Sequence, residues 1–321
     1  MRLAVAAALL ALSSAGVSAA PAPKYPTKPV RIVVPYAAGG PLDEGARLIA
    51  QKLTTRWRQP VLVDARGGSG GALGAELVTK APADGYTLLL GNSGPITVYP
   101  HLRKKRQYDP ERDLEPVTFM LSSPMLLIVH PSTPVKSVRD LVRIAKSNPK
   151  GLTYASAGVG NLQHLSMELL QITAGVRMVH VPYKGAAPAF VDLLTGQVDL
   201  MFANILGALP QVRAGRMRAI AVSSANGSPA AADVPSIARD YPDFDITTWQ
   251  GIFVPAGTPR ELIELINRDI VWALTLPETK QRFNEQGAQI VAEGPGQLGA
   301  FVKRESALFA KIIRTARIPQ E

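Results

Sequence analysis

VRIVVPYAAGGPLDEGARLIAQKLTTRW, residues 30–57, decides the fold. The β-branched run Val30 to Tyr36 predicts a strand, Ala37-Ala38-Gly39-Gly40 breaks it, and a helix is expected from Pro41 to about Trp57. Leu42, Ala46, Ile49, Leu53 and Trp57 recur at three- and four-residue steps, the period of one helix face. Pro41 suits a first helical position because its missing N–H would be unpaired there anyway, and Asp43 and Glu44 compensate the positive end of the helix dipole. Strand, glycine turn and amphipathic helix in immediate succession make a βα unit, the building block of a mostly parallel sheet.

The unit repeats outward from there. Strand Val61 to Asp64 leads into Gly67-Gly68-Ser69-Gly70-Gly71 and helix Leu73 to Lys80; strand Tyr86 to Leu90 leads into Gly91-Asn92-Ser93-Gly94. The apolar stretch Val117 to Val129, with a break expected at Pro124, reads as a crossover out of this first domain. A second α/β set follows: strands at 152–155, 178–181, 198–202 and 217–222, with helices at 162–173, 187–194 and 206–213. Asn226 to Asp245, rich in Ser, Pro, Ala and Asp, reads as the return crossing, and strand 251–254 with helices 260–273, 277–286 and 296–316 closes the chain. The expected division is 24–123 plus 223–321 for domain 1 and 124–222 for domain 2.

Residues 1–20 have the form of a cleaved signal peptide: Met1-Arg2, the apolar run Leu3 to Leu12, then small residues that allow cleavage after Ala19 or Ala20. The run is well short of the ~20 residues that span a bilayer. The protein is therefore expected to be exported from the cytoplasm. It has no cysteine, which excludes a lipid anchor through cysteine, a disulfide and a thiolate site. The formal net charge of +10 favours anions in general. Nucleic acid is not expected, because the one basic run, Arg103-Lys104-Lys105-Arg106, has no interleaved aromatics for base stacking and reads as a solvated loop.

Catalytic motifs are superficial. Residues 67–71 fit the G-x-S-x-G pattern of a hydrolase elbow, but only His101, His130, His164 and His180 exist, none lies near the chain's end, and only two strands precede Ser69. The histidines lack metal-ligand spacing, a Walker loop is missing, and Leu73 stands where a dinucleotide fingerprint needs its third glycine. No catalytic residue, metal or cofactor is expected. The chemistry instead points to a cleft: helix N-termini behind glycine loops aim unpaired N–H groups at an anion. Within it, His164 either faces the ligand or packs, Lys184 either pairs a carboxylate or stays hydrated, and Asp43 either compensates its helix or accepts from a ligand amine.

Several stretches, taken in order, resemble the Bug family, the TctC-like periplasmic solute-binding receptors of tripartite tricarboxylate transporters. They include YPTKPVRIVVPYAAGG (25–40), GGSGGALGAELVTKAPADGYTLLLGNSG (67–94), LTYASAGVG (152–160), VHVPYKGAAPAFVDLLTGQVDLMF (179–202) and GIFVPAGTP (251–259). The resemblance implies a two-domain periplasmic-binding-protein (Venus flytrap) α/β fold with two crossing segments, closing on a small carboxylate or related amide. Ligand contacts carried over by position are Tyr36, Gly39, Gly40, Asp43, Gly70, Asn92 and Ser93 from the first domain. Ser156, Ala157, Gly158, Asn161, His164, Lys184, Gly185 and Asn204 come from the second. Ala37-Ala38 replace two prolines usual in the family, Leu42 replaces a hydroxyl residue, and Leu162-Gln163 replace small hydroxyl residues, so a ligand less polar than citrate or aspartate is expected. The implied partner is a membrane permease, with a sensor histidine kinase as the alternative, and the receptor is expected to act as a monomer.

Overall fold

The computed structural model describes residues 25–148 and 151–320; the proposed signal peptide lies outside them. In chain order the elements are β1 (Val30–Val34), α1 (Pro41–Trp57), β2 (Val61–Ala65), α2 (Ala72–Thr79), β3 (Thr87–Gly91), α3 (Tyr99–Leu102), α4 (Pro110–Asp113) and β4 (Leu114–Val129). They continue with α5 (Val138–Ser147), β5 (Thr153–Ser156), α6 (Leu162–Ala174), β6 (Val179–Pro182), α7 (Ala186–Leu194), β7 (Leu200–Asn204), α8 (Ile205–Arg213) and β8 (Arg218–Val222). The chain closes with β9 (Thr247–Pro255), α9 (Arg260–Thr275), α10 (Pro277–Glu285), β10 (Gln289–Glu293) and α11 (Pro295–Thr315).

The molecule is α/β with two lobes. In the first, β1 lies between β2 and β3, parallel to both, and β9 continues the sheet antiparallel to β3. In the second, β5 lies parallel to β6 and β7. β4 joins them. Its residues Leu114 to Pro124 pair with β9, and Met125 to Val129 pair with β7 and β8. The strand does not break at Pro124, as the sequence suggested, but changes partners there. Proline has no N–H for a ladder, so it sits where one set of hydrogen bonds ends and the next begins.

Residues of β1 alternate between two cores. Val30, Ile32 and Val34 pack with Ala46, Ile49 and Leu53 of α1 and with Ile266 and Ile270 of α9. Val33 packs on the other face with Ala75 and Val78 of α2. Burial of both faces is what an unbroken β-branched run encodes in a parallel sheet. The 226–245 stretch, expected to be the return crossing, lies on the second lobe: Ile237 and Phe244 share a core with Leu165 and Phe202. The chain re-enters the first sheet at Thr247, opposite Pro124. Ser223 fastens this point, since Met125 N–H donates to its Oγ at 2.9 Å and that hydroxyl donates to the Ile246 carbonyl at 2.6 Å.

α11 is shared by the lobes, with Leu298 and Val302 in a first-lobe core and Phe309, Ile312 and Ile313 in a second-lobe core. Among the described residues, no helix is long and apolar enough to cross a membrane.

Candidate ligand-binding cleft

The C-terminal ends of β1, β2 and β3 lie along one edge of the first sheet, where parallel topology gathers the connecting loops. Tyr36 ties three of them together. Its Oη donates to Asn92 Oδ1 at 3.0 Å and lies 3.3 Å from the Gly70 carbonyl. Burial raises the phenol's pKa, so the hydroxyl keeps its proton and remains a donor. Gly94 must lack a side chain: a Cβ there would fall 2.5 Å from Tyr36 Oη and 2.9 Å from the Gly70 carbonyl. At the start of α1, Asp43 is buried, and its Oδ2 accepts from Gly39 N–H at 3.0 Å and Arg47 Nε at 2.8 Å. The Arg47 hydrogen bond and the Gly39 amide lower its pKa, so it is a carboxylate.

The second wall is the loop between β5 and α6. Ser156 is fully buried beneath it, accepting from Gly158 N–H at 3.2 Å and lying 2.7 Å from His180 Nε2. Ala157 N–H donates to Gln163 Oε1 at 2.8 Å, Gly160 N–H to His164 Nδ1 at 3.0 Å, and Asn161 N–H to the Gly158 carbonyl. Of the amides from Ala157 to Asn161, only that of Val159 has no hydrogen-bond partner among the described residues. The Asn161 side chain caps α6 by accepting from His164 N–H. His164 stacks on His180 with ring centroids 3.9 Å apart. Burial lowers the pKa of His164 to about 3, with a smaller contribution from His180, and burial lowers that of His180 to about 4. Both rings are neutral props behind the loop.

Between the walls lies a cavity of about 410 Å³. Tyr36, Gly70, Asn92 and Ser93 line it from the first lobe, Asn161 from the second, and Trp249 of β9 from the sheet between them. An adjoining cavity of about 160 Å³ shares Asn92 and Trp249 and adds Leu42 and Asn204. Polar groups are therefore set among apolar ones, Val98, Leu102, Val159 and Leu162 included, which is the usual make-up of a small-molecule site.

Six of the residues expected from sequence thus meet at these cavities: Tyr36, Gly70, Asn92, Ser93, Asn161 and Asn204. Gly39, Gly40, Asp43, Ser156, Ala157, Gly158, His164, Lys184 and Gly185 are not among the lining residues. Asp43, Ser156 and His164 support the loops from behind, while Lys184 is exposed and Gly185 N–H donates to the Ala157 carbonyl. Sequence reasoning missed Arg103, Thr248 and Trp249. The basic run does not behave as one solvated loop: Lys104 to Arg106 are exposed, but Arg103 is half-buried and lines the larger cavity. Trp249 carried a signal, a lone tryptophan just before a predicted strand, but its place depends on the long-range pairing of β9 with β4. No group of three or more metal-ligand side chains occurs among the described residues.

Comparison with known proteins identifies the family. Residues 45–318 match the tripartite tricarboxylate transporter family receptor family. Protein BugT of Bordetella pertussis (strain Tohama I) is 35% identical, with 94% of this chain and 94% of that protein covered. The structure of R. palustris Rpa4515 with adipate superposes with a TM-score of 0.80 at 35% identity, over 92% of this chain and 99% of that one. MatC from Rhodopseudomonas palustris with bound malate gives 0.75 at 32% identity, over 90% and 100%. Both neighbours hold a carboxylate as a ligand, and the family consists of periplasmic solute-binding receptors rather than enzymes. With most of its length matched and a cleft walled by both lobes, the chain belongs to the tripartite tricarboxylate transporter receptor family, the TctC or Bug type.

Proposed function

We propose that this receptor captures a small aliphatic dicarboxylate in the cleft between its lobes and delivers it to the membrane permease of a tripartite tricarboxylate transporter. The observation that carries the reading is the cavity itself, which combines Arg103, a permanent cation, with the side-chain amides of Asn92 and Asn161, the hydroxyls of Tyr36 and Ser93 and an apolar flank. Such a wall suits a ligand with charged ends and a methylene middle, and the adipate and malate bound to similar proteins belong to that chemical class. Because most second-loop amides already have partners, side chains of the cavity wall hold the carboxylates more than helix dipoles do.

The remaining assignments follow the same reading. The signal peptide, residues 1–20, is removed on export after Ala19 or Ala20, and mass analysis of the mature protein reads the cleavage site. The lobes move about the partner change at Pro124/Met125 and the return at Ile246/Thr247; the expected bodies, 24–123 plus 223–321 and 124–222, are adjusted so that 226–245 moves with 124–222 and the chain from Thr247 with 24–123, α11 riding on both. The receptor works as a monomer without a cofactor. Its loops at Gly39-Gly40, Gly158 and Lys184-Gly185 complete the ligand shell on closure. Capture of the permease, and not of a histidine kinase, from solubilised membranes in a ligand-dependent manner tests the partner. Thermal melting against C4 to C6 dicarboxylates tests the ligand class: a ligand at a hundred times its Kd adds about 2.7 kcal/mol of stability if only the folded protein binds it.

A further inference from the structure

Glu305 lies midway along α11, at the point where the helix passes from one lobe's core to the other's, and its side chain is 7% exposed. Three hydrogen-bond partners converge on it. Trp249 Nε1–H donates to Oε2 at 2.7 Å and Ser93 Oγ to Oε1 at 3.1 Å, while Thr97 Oγ1 lies 2.6 Å from Oε2. Ser93 and Trp249 are both wall residues of the larger cavity. All three of these partners are neutral groups.

Thr97 makes the arrangement bistable. Its hydroxyl has one hydrogen and is within bonding distance of two groups, Glu305 Oε2 and the Ser93 carbonyl, the latter at 3.0 Å. A carbonyl only accepts. If Thr97 donates to it, the carboxyl group must carry a proton and donate to Thr97. If Glu305 is ionised, the hydroxyl turns toward it and the Ser93 carbonyl loses that partner. A proton on Glu305 is thereby linked to the backbone of a cavity-wall residue.

We propose that Glu305 is the positioning residue of the cavity and that it takes up a proton when an anionic ligand binds. This rests on the carboxylate reading above. An ionised Glu305 places an unpaired negative charge behind Ser93 and Trp249, where it opposes a ligand carboxylate across one layer of side chains; the protonated acid does not. Burial raises its pKa to about 7, against the lowering effect of the Thr97, Trp249 and Ser93 hydrogen bonds, so the exchange falls near neutral pH. The other ionisable groups on the elements around α11 are placed differently. His101 of α3 is held by Ser306 at 2.9 Å and has its pKa lowered by burial. Arg103 lies on the cavity wall, His164 and Glu168 are on α6, and Glu115, Lys303 and Arg304 are exposed.

The test is calorimetric titration of the protein with adipate between pH 6 and 8.5, in paired buffers of different ionisation enthalpy, which reads the protons taken up. The wild type should take up as much as one proton above pH 7, with Kd rising by up to about tenfold per pH unit there. Glu305→Gln, with its amide oxygen in the place of Oε2, keeps an acceptor for Trp249 and Thr97 and carries no charge at any pH; it should bind with a flat pH profile and no uptake attributable to this position. His101→Gln should retain the uptake. Adipate binding by the wild type without proton uptake, or uptake persisting in Glu305→Gln, would overturn the proposal and leave the carboxylate reading standing. If neither adipate nor shorter dicarboxylates bind at any pH, the carboxylate reading fails and the proposal with it. Stability of the unliganded wild type and Glu305→Gln from pH 5 to 8 gives a ligand-independent check: parallel profiles mean that Glu305 does not titrate and also overturn the proposal.

Discussion

Gly40 and Gly158 stand in matching loops, yet substitution would mean different things at each. Gly40 has φ −87° and a Cβ there would meet nothing closer than the Ala37 carbonyl at 3.8 Å, so Gly40→Val leaves the backbone unstrained. A loss of ligand-induced stabilisation in that variant, at unchanged unliganded melting temperature, would place the ligand against the first loop. Gly158 has φ +142°, which side chains rarely adopt, and its valine variant would combine strain with steric exclusion. Arg103→Gln should weaken a carboxylate ligand by about tenfold to a hundredfold, since a hydrogen bond to a charged group contributes roughly 1.5–3 kcal/mol. Lys184→Ala, at an exposed position, should change Kd by less than about threefold. Titration calorimetry reads both. Glu305 and the buried histidines act oppositely on stability. For Glu305, with pKa about 7 folded against 4.5 for the free side chain, the contribution is complete below 4.5 and is lost as pH rises through 7. For His164 and His180, with folded pKa values of about 3 and 4 against 6.5, it is present above 6.5 and lost as pH falls toward 4. Urea midpoints at pH 4, 6 and 8 should therefore fall on the acid side for the wild type, and Glu305→Gln should be relatively more stable than the wild type at pH 8 than at pH 5.

α1 was legible nearly to the residue because three independent signals agree: an apolar face at helical steps, proline at its first position and acids in its first turn. Its face is buried as the spacing required, with Ile49 and Leu53 essentially inaccessible. Leu53→Ala should cost about 2–5 kcal/mol in a denaturant titration, the price of a cavity in a closely packed core. α5 was equally readable but overlooked. Ser137 caps it by accepting from Asp140 N–H at 3.1 Å, and Val138, Leu141, Val142 and Ala145 form its buried face. β10 was not legible: its residues are at most half-buried, its register shifts against β4, and Ala292 has φ +53°. The candidate site divides in the same way. Tyr36, Gly70, Asn92, Ser93 and Asn161 sit in loops adjacent to strands or helices that local patterns identify. Arg103 and Trp249 reach the cleft, and Glu305 the back of its wall, through tertiary packing that no local period records.

The two lobes share more than a pair of crossing strands. β4 changes sheets at Pro124/Met125, Ser223 fastens the returning chain beside it, and α11 places side chains in both cores. Phe309, fully buried in the second-lobe core, secures the end of α11; Phe309→Ala should cost about 3–5 kcal/mol and, by loosening the helix that carries Glu305, should also weaken ligand binding. A carboxylate held from both sides would draw the lobes together, because Tyr36, Asn92 and Ser93 belong to one and Asn161 to the other. Selection of an anion by the cleft is read from the melting temperature of the purified, ligand-stripped protein with dicarboxylates of four to six carbons and with the matching diamides. The melting temperature should rise with at least one dicarboxylate and not with its diamide, and the rise should be greatly reduced in Arg103→Gln. Stabilisation by the diamides or by neutral sugars, with no response to any dicarboxylate, would contradict it.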